Sequence, residues 1–164
     1  MFLLRATVKL RQRIGRSAPH DGERSTTLLG DWYATRLPWR TQVALLVNER
    51  TLLPVLMPLA PAATMLARVA DQVGDVLAAH SVPDLVIRAE VDQMRSWRIA
   101  PTANRSVVGI MNEFAFLADT WRDATKPNLF DLAVRLAATP CSPLYQRHVS
   151  PDRELAALVQ QVSP

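Results

Sequence analysis

Arg105, Gly109, Asn112 and Phe116 recur at intervals of three or four residues, so on a helix they share one face. That face sets a guanidinium, an amide and an aromatic ring around a position without a side chain. The guanidinium suits a carboxylate or phosphate, the amide adds hydrogen-bonding specificity, and the ring offers a stacking surface. A helix packed on both sides would instead engage Arg105 with a neighbouring acid and Asn112 with nearby backbone. A second group lies in Trp32, Tyr33, Arg36, Trp39 and Arg40, where rings are interleaved with cations as on surfaces that stack bases or a partner's side chains. Tryptophans packed on a sheet would give the same pattern.

Catalytic groupings are weaker. Cys141 and His148 share the segment TPCSPLYQRHVSPD, and an imidazole can activate a thiol, although a lone cysteine is more often a small buried hydrophobe. His148, Arg105 and Tyr33 could surround a phosphate as in a metal-free ribonuclease, provided that they meet within hydrogen-bond reach. Glu90 with Asp92, and Glu113 with Asp119, have the spacing of ordinary helix-surface charge; the second pair diverges by about 120° on a helix. The five glycines stand at 15, 22, 30, 74 and 109, too scattered for a P-loop or a dinucleotide fingerprint. No GxSxG elbow is present. His20, His80 and His148 form neither HxH nor HExxH, and one cysteine excludes an internal disulfide or a multi-cysteine metal site. The expectation is no metal and no cofactor.

These residues need a folded frame, and 164 residues with 49% hydrophobic and 21% charged content suffice for a single globular domain over 1–164 without cross-links. The net charge of +4 and pI near 10.0 favour polyanions weakly. The densest basic run is Arg5, Lys9, Arg11, Arg13 and Arg16, which also reads as a solvated basic helix. Residues 52–67 are the longest apolar stretch, but Pro54, Pro58 and Pro61 interrupt it and it falls short of the roughly 20 residues that span a bilayer. Arg5 comes too early for a secretory signal, so no membrane association and a cytoplasmic location are expected. Residues 1–20 are Arg-rich and acid-free, as in an organellar transit peptide, unless 2–7 enters the fold as a strand.

Hydrophobic periodicity places that strand at 2–7 and a helix at 8–14 with Val8, Leu10 and Ile14 inward, ended by Gly15. A mobile loop is expected over about 16–30, and 31–42 carries no clear element. Strands at 43–47 and 52–57 suit a hairpin, with Pro54 confining the second to an edge. A helix from Pro61 to about 80 turns Met65, Val69, Val73 and Val76 inward. The next opens with a Ser81–Asp84 capping box and buries Leu85, Val86, Ala89 and Met94. After a short strand at 96–100, Thr102 or Asn104 caps the helix that carries Arg105, its apolar side being Val107, Ile110, Phe114, Leu117 and Trp121. Asn128 opens a helix that Pro140 stops, and Ser150 with Pro151 opens the last, which holds Leu155, Leu158, Val159 and Val162. The expected class is α+β: a small, mostly antiparallel sheet of three to four strands packed with about five to six helices.

The segments WYAT (Trp32 to Thr35), VALLVNE (Val43 to Glu49), RSVVGIMNEFAF (Arg105 to Phe116) and TPCSPL (Thr139 to Leu144) resemble a bacterial domain-of-unknown-function family. Some of its members lie beside, or are fused to, a plasmid open-reading-frame-three domain. The likeness covers most of the chain and is carried chiefly by the RSVVGIMNEF segment. At Tyr33 and Thr35 the chain departs from the His and Asn of many members, so no histidine-dependent role transfers there. The resemblance implies an intracellular bacterial protein of mobile-element or toxin–antitoxin-like neighbourhoods, and it brings no activity. The resulting expectation is a small binding or regulatory module, rather than an enzyme, that meets a protein or nucleic-acid partner through Trp32, Tyr33, Arg36, Trp39, Arg40, Arg105, Asn112 and Phe116. The alternative is a metal-free nuclease or other small hydrolase built on Arg105, Tyr33 and His148.

Overall fold

A strand that is a continuous apolar run must be covered on both faces, and VALLVN at Val43–Asn48, apolar up to its last residue, is buried at every position. The computed structural model, which describes residues 1–15, 22–123, 125–126 and 128–163, shows what covers it. Among the described residues there are five strands, β1 (Phe2–Ala6), β2 (Trp32–Leu37), β3 (Val43–Asn48), β4 (Pro54–Pro58) and β5 (Trp97–Pro101). Six α-helices accompany them: α1 (Val8–Ile14), α2 (Met65–Ala79), α3 (Asp84–Gln93), α4 (Arg105–Trp121), α5 (Leu129–Ala137) and α6 (Pro151–Val162). The strands form one sheet in the order β4-β3-β2-β1-β5.

Period-two alternation divides the side chains between two cores. Phe2 and Leu4 of β1, Trp32 and Ala34 of β2, Leu46 of β3 and Met57 of β4 meet Met65, Val69 and Val73 of α2 and Leu155 of α6. On the other face Tyr33, Leu37, Leu45 and Val47 meet Val107, Ile110 and Phe114 of α4 and Leu132 and Leu136 of α5. The result is helices on both sides of a sheet.

The sheet corrects the expectation of three to four mostly antiparallel strands: it has five and is mixed. β2–β3 and β3–β4 are antiparallel, whereas β1 runs parallel to both β2 and β5. The additional strand is β2, which Arg36, Thr35 and the neighbouring Pro38 hide in the sequence. Parallel pairing requires a crossover of a dozen residues or more, and residues 7–31 provide it between β1 and β2. Part of the expected mobile loop, residues 16–21, lies outside the described residues. The remainder is held in place: Leu3 N donates to Ser25 Oγ at 2.9 Å and Thr26 N to Met1 O at 2.8 Å.

Pro54 does lie on an edge strand, β4. Asn104 caps α4, its Oδ1 accepting from Ser106 N at 2.9 Å and Val107 N at 3.3 Å. Asn104→Ala is therefore expected to lower stability by about 1 kcal/mol, read in a thermal melt. Other local expectations are corrected. Val8 is 60% exposed and Leu85 79% exposed, so neither faces the core. Ser81 adopts a left-handed φ of 60° and caps nothing; Pro83 stands at the start of α3. Met94, just past the end of α3, is buried as expected; within α3 the buried residue is Glu90, whose carboxylate accepts Leu28 N at 2.8 Å and Leu29 N at 3.1 Å.

Burial pushes the Glu90 carboxyl above the ordinary glutamate value, against the two backbone N–H groups that pull it down. A raised folded-state pKa means that the folded chain binds the proton more tightly than the unfolded one. Its contribution to stability is then fully present below the unfolded pKa and is lost as pH rises through the folded value. The stability difference between the wild type and Glu90→Gln should accordingly drift in favour of the variant as pH rises through that window. Urea denaturation at a series of pH values measures it, and a pH-independent difference would refute the assignment.

Candidate functional site

Register aligns the ends of the strands. Leu37 of β2 pairs with Val43 of β3, and Val43 pairs with Pro58 of β4. β1, packed parallel against β2, leads into α1 beyond the same edge. α1 packs against β2 and against the 3-10 turn Ala62–Thr64 that precedes α2. Three distant segments thus meet at one edge of the sheet. They bring Lys9, Arg11 and Arg13 from α1, Arg36 and Arg40 from β2 and the loop after it, and Arg68 from the first turn of α2.

Hydrogen bonds join these segments. Arg13 Nη1 donates to Gln42 Oε1, and Leu59 N donates to Gln42 O at 3.0 Å. The Arg68 guanidinium donates to Pro58 O at 2.9 Å and to Leu59 O and Pro61 O at 3.1 Å each. Residues 1–15, 32–48 and 50–70 contain neither aspartate nor glutamate. Among the described residues none of the six cations forms an ion pair. The Nε atoms of Arg11 and Arg36 are buried and make no hydrogen bond there either. Asp119 approaches the same corner, paired at 3.4 Å with Arg122, which lies 4.3 Å over the Trp39 ring.

Acids gather at the other end of the sheet. Asp31 precedes β2 and Glu49 follows β3, with Glu49 N donating to Asp31 O at 3.0 Å. Asp31 accepts Arg5 Nε at 2.8 Å and Ser25 Oγ at 2.6 Å. Burial, reinforced by the Asp31 charge, pushes the Glu49 carboxyl up from its ordinary value. Arg5, the first residue of the basic run, is therefore engaged by an acid, whereas Lys9, Arg11 and Arg13 have no ion-pair partner among the described residues.

The aromatic residues of the second candidate group are packing residues in this arrangement. Trp32 and Tyr33 are both fully buried, on opposite faces of the sheet. Tyr33 Oη accepts Asn104 N at 2.9 Å and so positions the start of α4. Trp39 is 7% exposed in the same core as Tyr33. Arg36 and Arg40 belong to the cationic edge.

Arg105, Gly109, Asn112 and Phe116 all face outward on α4, as their spacing predicts. Gly109, Asn112, Glu113, Phe116, Thr139 and Pro140 border a groove of about 470 Å³, which Arg105 does not line. Phe116 is 71% exposed. No described cavity is lined by both candidate groups.

The catalytic groupings do not assemble. Cys141 is buried and its thiol is pushed up to about 11, first by burial and then by the Glu113 charge, so it is a neutral thiol at physiological pH. Its Sγ donates to Thr139 O at 3.4 Å, while His148 Nδ1 lies 2.9 Å from Glu154 Oε2. His148 lines a cavity that Arg105 and Tyr33 do not reach. Among the described residues no three His, Cys, Asp or Glu side chains cluster as metal ligands, and no helix is long and apolar enough to cross a membrane.

Lys9, Arg11 and Arg13 enter the sequence reading only as a basic run that also reads as a solvated helix, and Arg68 does not enter it. The signal that could have found them is the shared absence of acids from 1–15, 32–48 and 50–70. Fold and edge together define an α+β domain with a five-stranded mixed sheet and one cationic margin free of ion pairs among the described residues. The chain belongs to the family described as Domain of unknown function (DUF6933), which it matches over residues 3–154. Comparison with curated proteins and with solved structures finds no match.

Proposed function

We propose that this chain is a nucleic-acid-binding module that grips the phosphodiester backbone with the cationic edge of its sheet. The observation that carries the proposal is the convergence of Lys9, Arg11, Arg13, Arg36, Arg40 and Arg68 from three segments, without an ion-pair partner among the described residues. Cations left unpaired release counterions when they meet phosphates, and this supplies most of sequence-independent affinity. Base reading would need side chains that reach groove edges or stack. Trp32, Tyr33 and Trp39 are buried, and the large exposed hydrophobics of the described residues include no aromatic on α1, at 36–42 or at 58–68. The module therefore holds backbone and discriminates little between sequences. Such a role suits a regulatory protein of the bacterial cytoplasm and the mobile-element setting that the resemblance implies.

Fluorescence anisotropy of labelled duplex DNA and RNA at two salt concentrations, with the recovered nucleic acid run on a gel, tests this. The expected result is binding in the micromolar range or weaker that declines as salt rises, with the strands intact. Cleavage would favour the hydrolase alternative. No binding at low salt would send the search to a protein partner.

One observation favours that protein reading as a second role: the exposed Phe116 beside the open Gly109 position, where an added Cβ would meet nothing within 4 Å. Phe116→Ser is expected to change stability by no more than about 0.5 kcal/mol and to leave nucleic-acid affinity unaltered. Loss of that affinity would move the nucleic-acid site to α4.

A further inference from the structure

The turn between β3 and β4 meets the start of α6 at a cavity of about 180 Å³ lined by Arg50, Thr51, Arg147, His148, Glu154 and Gln161, among others. It belongs to the acidic end of the sheet, since Arg50 directly follows Glu49, and it shares no residue with the cationic edge. Glu154 is the key to its chemistry. The Glu154 side chain is only 5% exposed, and a buried carboxylate must be paired. Arg147 engages Oε1, and His148 Nδ1 sits 2.9 Å from Oε2.

Two consequences follow from that pairing. A carboxylate oxygen accepts, so this hydrogen bond places a proton on His148 Nδ1, and in the tautomer that carries only that proton Nε2 is the acceptor. One carboxylate also neutralises only one of the two guanidiniums at the cavity. Arg50 is the other. Its Nη1 donates to Leu28 O at 2.7 Å, which holds the group in place and leaves further N–H donors of the fork without a partner among the described residues. Glu90 feels the Arg50 charge but is itself held by Leu28 and Leu29 N–H.

We infer that this cavity binds a small phosphate monoester or hydrogenphosphate ion. Its anionic oxygens meet the guanidiniums of Arg50 and Arg147, and its P–OH or a neighbouring hydroxyl donates to His148 Nε2. Arg147, His148 and Glu154 together also tie residues 147–154 into one structural unit, whereas Arg50 stands outside that tie. Arg50 is therefore the residue that separates ligand binding from packing.

The test is a titration of the full chain with inorganic phosphate at constant pH and ionic strength, following the imidazole C–H signals of His148 by NMR. The proposal expects a saturable shift of His148. Arg50→Gln should weaken the apparent affinity by about tenfold with an unchanged melting temperature. Arg40→Gln, at the cationic edge, should leave it unchanged, so failure here and failure of the nucleic-acid reading are told apart. Should Arg50→Gln disturb the fold through its bond to Leu28, Arg50→Lys keeps a donor and a charge and should retain part of the affinity. A His148 signal that does not saturate, or one that saturates equally in folded Arg50→Gln, would overturn the inference.

Discussion

Replacing Arg13 and Arg40 together by glutamine is expected to reduce the affinity for duplex DNA by about tenfold to a hundredfold at low salt. The slope of log affinity against log salt should flatten by about 1.8, because each lost phosphate contact removes about 0.9 on B-form DNA. Both side chains are exposed and neither has an ion-pair partner among the described residues, so the fold has little reason to respond. Arg13 gives up one hydrogen bond to Gln42, a change within about 0.5 kcal/mol for a surface contact. The slope is the informative quantity. A variant that loses affinity through partial unfolding lowers the fraction that binds at every salt concentration and leaves the slope where it was.

Asn48→Ala is expected to have the largest effect on stability. This asparagine is fully buried and satisfied at both ends of its amide. Nδ2 donates to Leu29 O at 2.9 Å and to Asp31 O at 3.3 Å. Oδ1 accepts Arg50 N at 3.1 Å, Thr51 N at 2.9 Å and Thr51 Oγ1 at 3.0 Å. One side chain thereby fastens the approach to β2 onto the β3–β4 turn. Alanine would strand these groups away from water at a cost of about 3 kcal/mol, or a fall in Tm of roughly 6–12 °C for a chain of this size. Asn48→Asp, which sets a carboxylate oxygen against the Leu29 and Asp31 carbonyls in a buried site, should be no milder. A thermal melt decides, and an alanine variant within about 1 °C of the wild type would contradict the role given to Asn48.

How much of this was legible depended on whether the signal was local. The helix α4 carries its own periodicity and its own cap, so its range, its buried face and its outward Arg105–Phe116 face could all be read from spacing. Pro54 announced an edge because a missing N–H is a property of one residue. β2 is different. Its six residues include Thr35 and Arg36, and what makes them a strand is pairing with β1 on one side and β3 on the other, over separations that no short window contains. The same failure made Trp32 and Tyr33 look like a surface. Adjacent residues of a strand point to opposite faces, and both faces of this sheet are covered.

The cationic edge was illegible for a related reason. Taken singly, its segments are a basic helix, a strand end with two arginines and a helix start with one, and only the topology makes them neighbours. Glu90 and Ser81 show the limit of composition rules at single positions. A glutamate on a helix reads as solvated until a loop presents two N–H groups to it, and a serine near a helix start reads as a cap until its backbone takes a left-handed turn.

The most direct test is the map of amide chemical-shift changes when a short duplex DNA is titrated into the protein at low salt. The account predicts the largest changes in α1 and at residues 36–42 and 59–68, receding together as salt is added. Changes concentrated instead around Gly109, Asn112, Phe116 and residues 139–140, or around His148 and Glu154, would contradict it.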